Sequence, residues 1–334
     1  MFQYYPFLQS RGVELTTRAL FGDEYLDLLY SKKSRWACVL KSYFRRFFVI
    51  LYSSKKYDLV WLEKELFPWV PWSLEKWLFK VLSVPYVVDF DDAIFHQYDL
   101  HRFRIIRSLL GQKCDQVMQN SACFVAGNEY LAQRGRKAGA RKIVKIPTVV
   151  SEKVFYPKNH EHPVPIIGWI GSMSTAIYLD KLYPVLRDLS KKYDFKFRVV
   201  GATLEWKDIP LECVPWSEEK EVSLIQSFDI GVMPLVDSPW EKGKCGFKLV
   251  QYMACGKPAV ADSVGANVEI IEDGKNGYLV SDGPSWERTI ENLLVNPQQQ
   301  DEMGRRGRSR FQKYYSLESW QDFILKVFQE VSRV

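Results

Sequence analysis

The stretch from Pro239 to Asp262, PWEKGKCGFKLVQYMACGKPAVAD, narrows the choice of fold more than any other part of the chain. It reads as a loop, a helix start, a helix and then a buried strand, the alternation of an α/β domain. Gly243 and Gly246 permit close backbone approach. Val250, Met253 and Ala254 give the helix an apolar stripe. Gly256-Lys257-Pro258 ends it, as a glycine cap followed by proline does.

Lys244 and Lys248 sit four residues apart where this helix begins. A helix N-terminus carries about half a positive charge and free N–H groups. Two ammonium groups beside it make a site for something doubly anionic, such as a diphosphate. The competing reading is a solvated lysine pair on an ordinary surface helix.

At 334 residues the chain suits two domains of ordinary size. Hydrophobic residues make up 47% and charged residues 26%, so both halves can bury a core. The net charge of +6 favours acidic partners such as phosphates or anionic lipid and is too small to argue for nucleic acid. Cys38, Cys114, Cys123, Cys213, Cys245 and Cys255 show no CxxC spacing and lie mostly in apolar runs. They read as buried free thiols of a reducing compartment, not as disulfides or zinc ligands. No signal peptide is visible and no apolar run reaches the length of a membrane span. The expected localisation is cytoplasmic, with peripheral contact at the inner face of a membrane.

In chain order, residues 1–15 predict a helix stopped at Gly12. The strand and glycine-rich loop that should precede such a helix in an α/β domain are missing from the pattern. Residues 26–56 and 66–82 are basic and aromatic with apolar residues at helical spacing. They suit either an interfacial membrane contact or two helices packed on the sheet with cationic outer faces. Parallel strands are expected at 59–62 and 86–88. Acidic residues follow at their carboxyl ends, where open α/β sheets hold ligands. Glu63, Glu65, Asp89, Asp91, Asp92 and His96 are therefore first-domain candidates, although one of the carboxylates can equally cap the following helix. The spacing Asp89-x-Asp91 also invites a metal reading. A helix is expected over 102–119, a strand over 122–126, a Gly127-Asn128 turn and a helix from Glu129. His160 and His162, in the proline-containing linker, read as exposed linker residues, since no carboxylate or cysteine completes a tetrahedral set.

The second half opens with a buried strand at 166–170. The turn Gly171-Ser172-Met173-Ser174-Thr175 leads into a helix near Ala176 and presents N–H and hydroxyl groups to a phosphate. It is not a Walker loop, because no Gly-Lys-Ser/Thr follows. Strands are expected at 195–201, 212–214, 230–234, 259–261 and 277–280. Gly265 to Glu269 opens a further helix, and residues 317–331 form a last one.

The run GFKLVQYMACGKPAVA followed by SVGANVEIIEDGKNGYLV resembles the donor-binding signature of GT-B glycosyltransferases, specifically family 4, which are retaining and use nucleotide sugars. The resemblance covers residues 165–334 well and the first half more loosely. It implies two Rossmann-like domains facing across a cleft: an acceptor-side domain at 1–155 whose first strand is missing, a linker at 156–165, a donor-binding domain at 166–316, and a helix at 317–334 returning to the first domain. It also implies that a metal is not needed, which argues against the Asp89-x-Asp91 metal reading. Gly243 stands where the family has its first signature Glu, and Gln251 where it has the second. Gln251 can still hydrogen-bond a ribose hydroxyl, without charge. Ser172 replaces a phosphate-binding Arg, which leaves the cationic role to Lys244 and Lys248. Trp216 falls where the family contacts the nucleotide base, though packing in the core is an alternative for it.

The implied donor-binding set is Gly171, Ser172, Ser174, Thr175, Trp216, Lys244, Gly246, Phe247, Lys248 and Gln251. Asp91, Asp92 and His96 face the sugar and acceptor. The expected function is transfer of a sugar from a nucleotide-sugar donor, with retention, to a saccharide or lipid-linked acceptor in polysaccharide or cell-envelope synthesis, with no cofactor and no nucleic-acid partner. Two alternatives remain at this point: a nucleotide-sugar epimerase on the same architecture, and a non-catalytic sugar-nucleotide binder.

Overall fold

A computed structural model describes residues 2–31, 33–53, 56–82, 84–158 and 162–332; the reading of His160 lies outside them. Two parallel sheets organise the chain. In the first half, β1 (Val60–Glu63), β2 (Tyr86–Phe90), β3 (Cys123–Ala126) and β4 (Ile143–Lys145) pair in that order. In the second, β5 (Ile166–Ile170), β6 (Lys196–Val200), β7 (Leu211–Val214), β8 (Ile230–Met233), β9 (Ala259–Asp262) and β10 (Gly277–Val280) form a sheet in the order β10-β9-β8-β5-β6-β7. The strands β3, β5, β8 and β9 are buried along their whole length, as largely apolar runs covered on both faces are.

The order reverses between β5 and β8. The loops leaving their carboxyl ends therefore diverge to opposite faces and open a crevice, which is where a sheet of this kind binds ligands. The loops following β5 and β8 carry Gly171 and the segment 234–246.

Several elements depart from the sequence reading. The basic aromatic stretch at 26–56 is two helices, Asp23–Tyr30 and Trp36–Ser53. The helix expected at 102–119 is interrupted at Gly111-Gln112, giving Arg104–Leu110 and Lys113–Asn120. That break brings Lys113 into the interior, where its ammonium meets Glu65 at 2.6 Å and Glu75 at 3.0 Å. Glu65 is thus a core residue and not a site carboxylate: it is buried, paired with Lys113, and accepts the Tyr98 hydroxyl at 2.7 Å.

The last helix, Leu317–Val331, lies on the first domain. Leu317, Ile324, Val327 and Phe328 pack with Tyr4, Leu8, Val87 and Val125, so residues from both ends of the sequence share one core. The six cysteines are free, and all but Cys213 are buried.

Candidate active site between the two sheets

The two domains touch through the loop 242–246, and the contact depends on missing side chains. A Cβ on Gly243 would lie 2.3 Å from the Cβ of Ala93, just beyond β2, and one on Gly127 would lie 2.4 Å from the Cys245 sulfur. Asn128 completes the junction. Its side-chain Nδ2 reaches the carbonyls of Lys242, Gly243 and Lys244 at 3.0–3.1 Å. Its Oδ1 accepts from the Leu131 amide at 2.9 Å and caps the helix Glu129–Ala138. Glu269 crosses as well, accepting the Glu129 amide at 2.9 Å and the Lys145 ammonium at 2.8 Å. Gly265 packs against the Lys242 backbone. The helix Asn267–Ile270 is therefore engaged in holding the domains together.

This junction places the helix Phe247–Ala254 at the mouth of the crevice. Gly246 precedes it with φ 66° and has no room for a side chain, since a Cβ would meet Ile270 at 2.2 Å. Phe247 is exposed. Lys248 is half-buried, with its ammonium 5.3 Å from the Trp169 ring centroid, and it makes no ion pair among the described residues. Burial, and then repulsion from Lys244, lower its pKa to about 8. The Lys244 ammonium lies 6.0 Å from the Tyr178 ring. The Tyr178 hydroxyl in turn donates to Glu241 at 2.5 Å. Lys244 and Lys248 are thus two half-buried cations close enough to repel each other.

The turn after β5 lies beside them. Gly171 cannot carry a side chain because Trp169 and the Thr175 hydroxyl would be 2.7 and 2.9 Å from its Cβ. The Ser172 and Ser174 hydroxyls bond each other at 2.9 Å, and the Thr175 hydroxyl donates to the Ser172 carbonyl at 3.0 Å. The helix that follows begins at Met173, earlier than the sequence pattern indicates, and continues as a 3-10 turn.

Trp216 is 52% exposed, so it is not a core residue. Its indole N–H reaches Glu221 at 3.3 Å, and the same carboxylate oxygen accepts the Gln251 amide at 3.0 Å. Gln251 itself is buried. Glu221 was absent from the sequence candidates. Its position in an acidic first helical turn reads as ordinary charge complementarity to the helix dipole, and only the fold brings it against Gln251.

On the first domain, Asp91 and Asp92 follow β2 and face Lys64, whose ammonium is 2.8 Å from Asp91 and 4.0 Å from Asp92. Burial alone would lower the Lys64 pKa, but the two carboxylates reverse the sign and raise it. The Asp92 pKa is raised by burial first and then by Asp91, against the opposing charges of Lys64 and Lys244. Asp89 is pushed up to about 7 by burial, with the Asp91 and Glu63 carboxylates adding to it. His96 is committed on both ring nitrogens: Nδ1 to Asp99 at 2.8 Å and Nε2 to the Tyr130 hydroxyl at 2.7 Å. Among the described residues no group of three or more His, Cys, Asp or Glu has the geometry to hold a metal ion.

The fold is shared with known proteins. Residues 164–296 match the family model described as Glycosyl transferases group 1. An uncharacterised glycosyltransferase of Methanocaldococcus jannaschii is 30% identical over 222 residues, covering 64% of this chain and 61% of that protein. The D-inositol 3-phosphate glycosyltransferase of Pseudarthrobacter chlorophenolicus is 28% identical over 137 residues, 40% of this chain and 31% of its own. The chain thus spans less than two thirds of either relative. Among solved structures, sucrose-phosphate synthase from Thermosynechococcus elongatus superposes with a TM-score of 0.68 at 16% identity, over 87% of this chain and 78% of that one. Anabaena HepE in complex with UDP-glucose superposes with a TM-score of 0.63 at 14% identity, over 85% and 82%. The chain therefore has the GT-B fold of those two structures, and residues 164–296 in its second half match the group 1 model.

Proposed function

We propose that this protein is a retaining glycosyltransferase that takes a sugar from a nucleotide-sugar donor. The observation that carries the reading is Lys248, a partly desolvated ammonium beside a second one at a helix N-terminus, at the switch point of a parallel sheet. In transfer, the bond between the anomeric carbon and the donor diphosphate breaks with its electron pair leaving on the diphosphate, the acceptor hydroxyl oxygen bonds to that carbon, and the hydroxyl proton passes to the departing phosphate oxygen. Lys244, Lys248 and the first N–H groups of the helix Phe247–Ala254 stabilise that charge, most effectively once water is excluded. Gly171 lets the backbone approach the phosphates, with Ser172, Ser174 and Thr175 offering hydroxyls. Trp216 stacks on the base, and Glu221 with Gln251 contacts the ribose. Asp92 orients the acceptor hydroxyl, with Asp91 and Lys64 setting its charge. His96 acts through Asp99 and Tyr130. No residue is assigned as a covalent nucleophile. The acceptor is a saccharide, lipid-linked and presented at a membrane face, in polysaccharide or cell-envelope synthesis. No metal or other cofactor is assigned a part. HepE, crystallised with UDP-glucose and with UDP and glucose, supports a nucleotide-sugar donor by likeness of fold.

Titration calorimetry with UDP, GDP and ADP tests the reading. Lys248→Ala should weaken diphosphate binding by about 1–3 kcal/mol, the range for a charged hydrogen bond. An unchanged affinity in a folded variant would remove Lys248 from the site. Transfer or hydrolysis with a panel of sugar nucleotides then separates an enzyme from a binder.

A further inference from the structure

The helix Trp36–Ser53 is apolar on two faces, and the fold uses only one of them. Its inner face is fastened to the first domain: Cys38 and Ser42 are buried, the Tyr43 hydroxyl donates to the Pro68 carbonyl at 2.6 Å, and Arg46 donates to the carbonyls of Leu66 and Arg18 at 2.9 Å. On the outer side Leu40, Phe44 and Phe48 share a face, and Trp36 and Tyr52 at the same four-residue spacing extend it as an exposed ridge that winds round the helix over about 24 Å at 1.5 Å per residue. Each of the five is between 49% and 79% exposed.

The ridge continues onto the neighbouring helix Trp72–Leu82. Tyr52 stacks on Phe48, Phe48 meets Phe47 edge-on, and Phe47 stacks on Trp77 at 6.3 Å and 11°. Leu74 and Val81, on that second helix, are exposed as well. A contiguous apolar surface of this extent marks a binding face.

Charge identifies the occupant. Between Asp27 and Asp58 the sequence holds eight basic residues and no acidic one. Lys41 and Arg45 lie on the same helix as the ridge and are exposed; Lys76 lies on the second helix beside Trp77 and is also exposed. Aromatic residues interleaved with cations match the interfacial zone of an anionic bilayer, where rings sit at headgroup depth and ammonium and guanidinium groups reach phosphates. Among the described residues no helix is long and apolar enough to cross a membrane, so the matching mode is a face laid on the surface.

We infer that the outer face of the helix Trp36–Ser53, joined by Trp77, docks the first domain onto an anionic lipid bilayer. The inference deepens the membrane-facing acceptor side proposed above, yet its test needs no transfer assay, so either can fail alone. The probe is sedimentation of the full chain with vesicles of phosphatidylcholine alone and of phosphatidylcholine with phosphatidylglycerol in equal parts. The wild type should partition onto the mixed vesicles and far less onto the neutral ones. Phe44→Ser/Phe48→Ser should reduce partitioning by about tenfold or more while leaving the thermal midpoint and diphosphate affinity unchanged, and Lys41→Glu/Arg45→Glu should erase the preference for the anionic lipid. Absence of binding to either vesicle would overturn the inference. So would binding indifferent to the loss of both phenylalanines. A wild-type dimer that dissociates in Phe44→Ser/Phe48→Ser, with no vesicle binding, would assign the face to a second copy instead.

Discussion

At the scale of single residues, the role proposed for Lys248 is set against stability. Its pKa in the folded chain is lowered to about 8 from an ordinary lysine value, by burial and then by Lys244. The folded state therefore binds its proton more weakly than the unfolded chain does. Below about pH 8 the charged side chain costs stability; as pH rises from there toward the unfolded value near 10.5 the cost is progressively relieved. Lys248→Met should consequently stabilise the ligand-free protein at pH 7, by roughly 1–2 kcal/mol once partial exposure is allowed for. That gain should shrink toward pH 10.5. Thermal melts of both proteins across this range check it. A variant less stable at neutral pH would show that the ammonium is not strained as placed.

At the scale of elements, the loop 242–246 is ordered by a residue from the other domain. Asn128 donates to three successive carbonyls and caps a helix with its remaining oxygen. Asn128→Ala removes both roles and should cost about 2–4 kcal/mol in urea unfolding, the sum of a lost cap and buried carbonyls left without a donor. Asn128→Asp keeps the capping oxygen and sets a carboxylate against the carbonyls. It should preserve the helix yet lose diphosphate affinity, because Lys244 and Lys248 depend on that loop for their placement. Calorimetry on Asn128→Asp that matched the wild type would show that the loop holds its shape unaided.

At the scale of the whole molecule, the two domains close on glycines. Gly243→Ala would set a methyl 2.3 Å from the Ala93 Cβ and 2.5 Å from its backbone nitrogen, and neither neighbour is the end of a flexible side chain. The domains should then stay further apart: small-angle scattering with diphosphate present should give a larger radius of gyration than the wild type. Turnover should fall about tenfold or more, since the proposed transfer brings groups from both domains together. An unchanged radius with unchanged turnover would mean that closure does not pass through this contact.

The alternation of short apolar runs with amphipathic helices, the glycine-and-proline stop after Cys255 and the lysines at 244 and 248 are local features. They made two Rossmann-like units legible in the linear chain, because hydrophobic period and helix capping act over a few residues. Pairings across distance were not legible. Gly243 looked like a missing acidic ligand, and the fold makes it a point where two backbones approach too closely for any side chain. Glu65 looked like a site carboxylate, and Lys113, brought inward by a break in its helix, takes it into the core. Glu221 looked like a dipole partner, and it lies against Trp216 and Gln251. Sequence spacing reports which face of an element a residue occupies. What stands opposite that face is decided only when the elements pack.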